Sequence, residues 1–140
     1  MNISRFCRRL GITVHAATVT KVVLSAPLVL NINHRETVFG GSASAVAILS
    51  AWTLLHLRLD ATGLPHRLVI QENTMSYDKP ITDDLRAVCM FDEETIWARF
   101  ITILTRKRMA RIHVTAILEC DGDIVGRFAG SFVALVRQST

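Results

Sequence analysis

The chain has 140 residues, half of them apolar, and a formal charge of +4 at pH 7. That length fits one domain spanning residues 1–140 with a substantial core, and a positive balance carried by arginine more than lysine suits phosphate-bearing ligands without calling for nucleic acid, for which no recognition motif is present. The basic start lacks a following apolar run, which argues against a secretory signal and for the cytoplasm, and Cys7, Cys89 and Cys120 have neither the even number of a disulfide framework nor Cys-x-x-Cys spacing.

In chain order, Ile3 to Leu10 reads as a short amphipathic helix closed by Gly11. Thr13 to Leu28 is rich in β-branched residues and reads as two strands joined by a turn at Thr18 to Lys21. A helix is predicted from Ser42 to Leu59, apolar on nearly every face, as when a helix is wrapped by a sheet; Arg58, Gly63 and Pro65 mark its end. Ser42, Ser44, Ser50, Thr53 and His56 interrupt this run, so no membrane insertion is expected.

Arg67 to Tyr77 reads as a strand, with Leu68 and Ile70 on one face and Val69, Gln71, Asn73, Met75 and Tyr77 on the other. Asp84 to Phe91 is a further strand. Asp92 to Arg106 has acids in its first turn, apolar residues three and four apart and cations at its end, the pattern of an amphipathic outer helix. From Arg108 to Cys120 apolar and polar residues alternate, and Asp121-Gly122 turns the chain into the strand Ile124 to Val136. One long helix with a mostly antiparallel sheet makes an α+β domain.

Chemistry is expected where Asn33 to Ser42 enters the long helix. Two adjacent glycines, Gly40 and Gly41, let a ligand approach the backbone, and a helix start offers unpaired N–H groups and a positive dipole end that can hold an oxyanion. A plainer role is open for each residue. Asn33 is also a turn former, the glycines also permit close helix–sheet packing, Ser42 also suits an N-cap, Glu72 a solvated strand face and Tyr77 surface packing. His34 could act as a base, while His15, His56, His66 and His113 show no metal-ligand spacing, so neither metal nor other cofactor is expected.

These residues resemble the hotdog fold, a curved antiparallel sheet around a central helix, on the strength of Asn33, Thr37-Val38-Phe39-Gly40-Gly41-Ser42 and Tyr77-Asp78-Lys79-Pro80-Ile81. The pattern is similar to acyl-CoA thioesterases of the phenylacetyl-CoA type. It is closer to the bacterial thioesterase-like domain often joined C-terminally to a GNAT acetyltransferase, through Leu24 to Leu28, Asn31-x-Asn33-His34, Ala51-Trp52 and Val69-Ile70-Gln71 through Tyr77-x-x-Pro80. The resemblance implies hydrolysis of an acyl-CoA or acyl-carrier-protein thioester in a homodimer or dimer of dimers. Asn33 would position the reacting groups and the Gly41 N–H would bind the carbonyl oxygen. Gln71, Glu72 or Asn73 would activate water from a partner strand, and Phe39, Gly40, Ser42, Tyr77 and Arg108 would contact substrate, Arg108 at the coenzyme phosphates.

The chain departs from that pattern twice. Phe39 replaces the family's histidine, and Ile48 stands where the family carries its helix carboxylate; no acid occurs from Phe39 to Leu59. A non-catalytic acyl-thioester binder, or a degenerate dimeric member, is therefore the alternative expectation.

Overall fold

The computed structural model describes residues 11–27 and 40–138. The elements are β1 (Thr13–Ala17), β2 (Lys21–Ala26), α1 (Gly40–Thr62), β3 (His66–Tyr77), β4 (Leu85–Met90), α2 (Glu94–Lys107), β5 (Met109–Cys120) and β6 (Asp123–Val136). The six strands form one antiparallel sheet in the order β1-β2-β4-β5-β6-β3, wrapped around α1, as expected for a hotdog fold. The expected helix from Ile3 to Leu10 lies outside the described residues.

Period-two alternation makes β5 the clearest strand. Ala110, Ile112, Val114, Ala116 and Leu118 are buried, while Arg111, His113 and Thr115 face outward. The β5–β6 hairpin closes through Asp121 and Gly122, whose φ angles of 51° and 82° are those of a primed two-residue turn. At the β1–β2 turn, the Thr18 hydroxyl accepts from the Lys21 N–H at 3.0 Å, a side chain standing in for a backbone turn bond.

The long helix is wrapped on nearly every side. No residue from Ser42 to Leu59 is exposed, and Val46, Leu49, Leu54, Leu55 and Leu59 pack with Phe128 and Phe132 of β6 in one cluster. Each such fully buried side chain contributes roughly 1.5–3 kcal/mol. By length and composition α1 resembles a membrane span, but 56% of the apolar window is buried within the protein.

Three expectations need correction. First, α1 begins at Gly40 and runs to Thr62, so Ser42 lies inside the first turn instead of capping it. Second, Arg58 does not mark a solvated helix end. The helix continues one turn further and stops at Gly63, whose φ of 79° few other residues adopt cheaply.

Third, β3 carries a bulge. Ile70 pairs with Phe132 and Glu72 with Ser131, leaving Gln71 outside the register. The extra residue reverses the alternation. Asn73, Met75 and Tyr77 then oppose Gly130, Phe128 and Gly126 on the face of Leu68 and Ile70, and half-buried Met75 packs against the core.

Arg58 is 5% exposed and ties three elements together. Its guanidinium donates to the Val19 carbonyl in the β1–β2 turn and, at 2.9 Å each, to both carboxylate oxygens of Glu94 at the start of α2. It also lies 4.9 Å from the ring centroid of Phe91 and 4.5 Å from that of Trp97. Removing Glu94 would leave this cation buried without its partner. Although the Glu94 side chain is 66% exposed, we expect Glu94→Ala to cost about 2 kcal/mol, against ~0.5 for ordinary surface changes. Adding Arg58→Met should restore most of the loss, and urea unfolding of the single and double variants measures the coupling.

Candidate functional site

The candidate site combines the start of α1 with the edge strand β3, on which α1 packs. Gly41 is exposed at the helix start and Ser42 is half-buried. The backbone N–H groups of this first turn have no partner within the helix. Its first turn carries no acidic residue, so nothing on the helix itself competes with an oxyanion for the positive dipole end. Asn33, His34, Glu36 and Phe39 lie outside the described residues.

Helix α1 and strand β3 run antiparallel and in step. Trp52 Nε1–H donates to the Leu68 carbonyl at 2.9 Å, and one turn further on His56 Nδ1 lies 3.1 Å from His66 Nε2. Four helical residues advance ~6 Å and two strand residues ~6.6 Å, so contacts repeat at that ratio. The same count brings Ile48 beside Ile70, and both line one groove with Trp52, His56, His66 and Leu68. Carried on, it brings Gln71, Glu72 and Asn73 level with the first turns of α1. All three are exposed on β3, an edge strand whose far side has no strand neighbour among the described residues.

Ile48 is half-buried and packs on the core, two helical turns from Gly41. It presents neither charge nor hydrogen-bonding group to the groove. Glu72, the carboxylate of the Gln71 to Asn73 segment, aligns with Ser131 on β3.

Tyr77 and Arg108 lie far from one another in one chain. Tyr77 pairs with Gly126, whereas Met109, the neighbour of Arg108, pairs with Leu135. Nine residues along β6 separate these positions by ~30 Å. Arg108 closes α2 in the left-handed conformation, with φ 63°, and its N–H donates to the Leu104 carbonyl at 2.8 Å. Partial burial pushes the Tyr77 phenol above its ordinary range, so it remains a neutral hydroxyl at neutral pH.

Two groupings escaped the reading of the sequence. One is the clamp at Arg58. The other is His56, Asp60 and His66, whose ligand-type atoms all lie within 4.8 Å of one another. The spacing of His56 and Asp60, four apart on a helix, was a usable signal, but His66 joins them only through the turn at Gly63 to Pro65.

The chain matches, over residues 5–136, the family model described as "Putative thioesterase (yiiD_Cterm)". Among solved structures it is similar to a protein of unknown function from Chlorobaculum tepidum TLS, with a TM-score of 0.90 and 26% identity, covering 95% of this chain and 87% of that one. It is also similar to a Shewanella oneidensis protein titled "putative thioesterase", at TM-score 0.81 and 24% identity over 94% of this chain and 88% of that one. A Pseudomonas aeruginosa protein titled "Probable Thioesterase" gives a TM-score of 0.84 at 21% identity, covering 95% and 88% of the two chains. These last two likenesses bear on the fold alone.

Cys89 is the nucleophilic group that β4 brings into the core, and its surroundings silence it. The thiol is buried, lies 3.5 Å from the Thr115 carbonyl and is pushed up to about 12 by loss of solvation. At pH 8 the thiolate fraction is then on the order of 10⁻⁴, since each unit is tenfold. Cys89 should resist iodoacetamide in the folded protein at pH 8 and label fully in denaturant, as read by peptide mass spectrometry. Rapid native labelling would show that β4 opens.

Proposed function

The chain belongs to the thioesterase family whose model spans residues 5–136, and on that premise we propose that it hydrolyses an acyl-CoA or acyl-carrier-protein thioester in the cytoplasm. The observation that carries this reading is the exposed Gly41 at the acid-free start of α1, together with the exposed polar segment Gln71 to Asn73 of β3. A thioester carbonyl oxygen placed at that helix start meets an unpaired N–H and the positive dipole end.

In the proposed reaction, water adds to the carbonyl carbon and the carbonyl π electrons move onto oxygen, which the Gly41 N–H stabilises. Collapse of the tetrahedral intermediate breaks the carbon–sulfur bond. The thiolate leaves and takes up the proton that the attacking water gave away. Asn33 positions the reacting groups, and Glu72, with Gln71 and Asn73, receives and orients that water.

The proposed assembly is a homodimer in which these β3 groups serve the partner's helix start. The edge position of β3 supports it, since among the described residues no strand pairs with its outer side, and a long edge strand presents backbone donors and acceptors to a partner. Phe39, Gly40, Ser42 and Tyr77 then contact the acyl or thiol portion. Because Tyr77 and Arg108 are far apart in one chain, Arg108 reaches coenzyme phosphates only from another subunit.

A non-catalytic acyl-thioester binder is the second reading, and Ile48 favours it. An apolar side chain packed on the core stands where the resembled enzymes carry their acid.

Thiol release from short, medium, long and aromatic acyl-CoAs and from an acyl-carrier protein separates the two. We expect turnover by the parent chain. Gly41→Pro, which removes the N–H at a helical position that tolerates proline, should reduce kcat about 10²-fold or more with an unchanged circular dichroism spectrum. Asn33→Ala and Glu72→Gln should each lower it too. An inactive parent that gains hydrolysis on Ile48→Asp supports the binder. Turnover unchanged in all three parent variants overturns the proposed site.

A further inference from the structure

We propose that His56, Asp60 and His66 form a binding site for one divalent transition-metal ion of the zinc class, joining the C-terminal half of α1 to the beginning of β3. The inference rests on these three side chains and is independent of the thioesterase reading.

His56 and Asp60 are four residues apart and so project from one face of α1, with His56 Nε2 3.3 Å from Asp60 Oδ2. His66, at the start of β3, places its Nε2 3.1 Å from His56 Nδ1. Two imidazole nitrogens on a tetrahedral zinc ion, with Zn–N bonds of ~2.0–2.1 Å, are about 3.3 Å apart, so this pair already has nearly the right separation. Two histidines and a carboxylate with an open remaining position are a recurrent donor set for such metals.

The surrounding contacts orient the donors. His66 is 9% exposed, and its Nδ1 lies 3.0 Å from the Leu64 carbonyl. A carbonyl only accepts, so Nδ1 carries the proton and Nε2 turns a lone pair toward the cluster, the arrangement that backbone carbonyls impose on metal-binding histidines. The His56 ring is stacked on Trp52, with centroids 4.7 Å apart and an interplanar angle of 11°. Trp52 is itself fixed by its bond to the Leu68 carbonyl.

A count of hydrogens shows why a cation suits the site. His66 Nε2 and the Asp60 carboxylate are both acceptors facing His56, and a neutral imidazole has one N–H with which to serve two acceptors. A metal ion bound by His66 Nε2, one His56 nitrogen and a rotated Asp60 carboxylate takes up those lone pairs together. The side chains of His56 and Asp60 are 34% and 59% exposed, leaving an open side for entry and for a water ligand. Arg67 and Arg137 line the same groove and would favour an anionic ligand at that open position. His56 lies eight residues beyond Ile48 on α1, about 12 Å along the helix axis, at the other end of the groove they share.

Zinc uptake by the full chain, stripped with chelator and then dialysed against micromolar Zn²⁺, tests the proposal. The expected result is one Zn²⁺ per chain and a raised melting temperature, with Co²⁺ giving the visible absorption of a low-symmetry tetrahedral site. His56→Gln and Asp60→Asn should each weaken uptake at least tenfold, whereas His15→Gln and His113→Gln should leave it unchanged. The exposed Asp60 side chain keeps its variant informative if a histidine change disturbs packing. Absence of stoichiometric uptake, or uptake unaltered in both His56→Gln and Asp60→Asn, overturns the proposal.

Discussion

The burial of Arg58 constrains the arrangement of everything around it. A guanidinium removed from water needs hydrogen-bond acceptors and a counter-charge, and the Val19 carbonyl, 39 residues before it, and Glu94, 36 residues after it, supply them. Phe91 and Trp97 cover it with aromatic surface. Its Nε is buried without a partner, a local cost that the bidentate pair and the rings offset. The clamp also explains how α2 starts without a side-chain cap. Glu94, in its first turn, suits the helix dipole and at the same time anchors the helix to α1.

Once α1 is fixed at Arg58, its opposite end is fixed too, because a straight helix wrapped by a sheet has little freedom to tilt or slide. Trp52 holds the middle of α1 to the Leu68 carbonyl, and His56 meets His66 nearer its C-terminus. Buried side chains run along α1 from Ala43 to Leu59, whereas Gly41 at its start stays exposed. A stable scaffold therefore presents a small polar locus at its margin, where a ligand can reach backbone N–H groups without disturbing the core.

Much of this was legible in the sequence because the period of the side chains matches the geometry they adopt. Ala110 to Leu118 alternate and lie on one buried face, and the apolar residues from Ala43 to Leu59 form the central helix. Asp121-Gly122 carries the hairpin for a reason local to two residues. Illegible features depended on partners remote in sequence. Arg58 after an apolar run looks like a terminal cation, and nothing nearby shows that Val19 and Glu94 will enclose it. Likewise, the alternation through β3 conceals a bulge at Gln71, which appears only when the strand is set against β6.

That bulge bears directly on the proposed thioester site. With unbroken alternation Gln71, Asn73 and Tyr77 would share one face, and Glu72 the other. With Gln71 outside the register, Asn73 instead follows Ile70 on the helix-facing side, while Glu72 aligns with Ser131 on the outer side. Asn73 is thus the residue best placed to meet a ligand lying between β3 and a helix start, and the Glu72 carboxylate acts there only where the strand edge turns it across a subunit boundary. Bulges bend a strand and re-aim the side chains beside them. In a chain with Ile48 in place of the helix carboxylate of the resembled enzymes, the proposed activation of water depends on the aim of this segment.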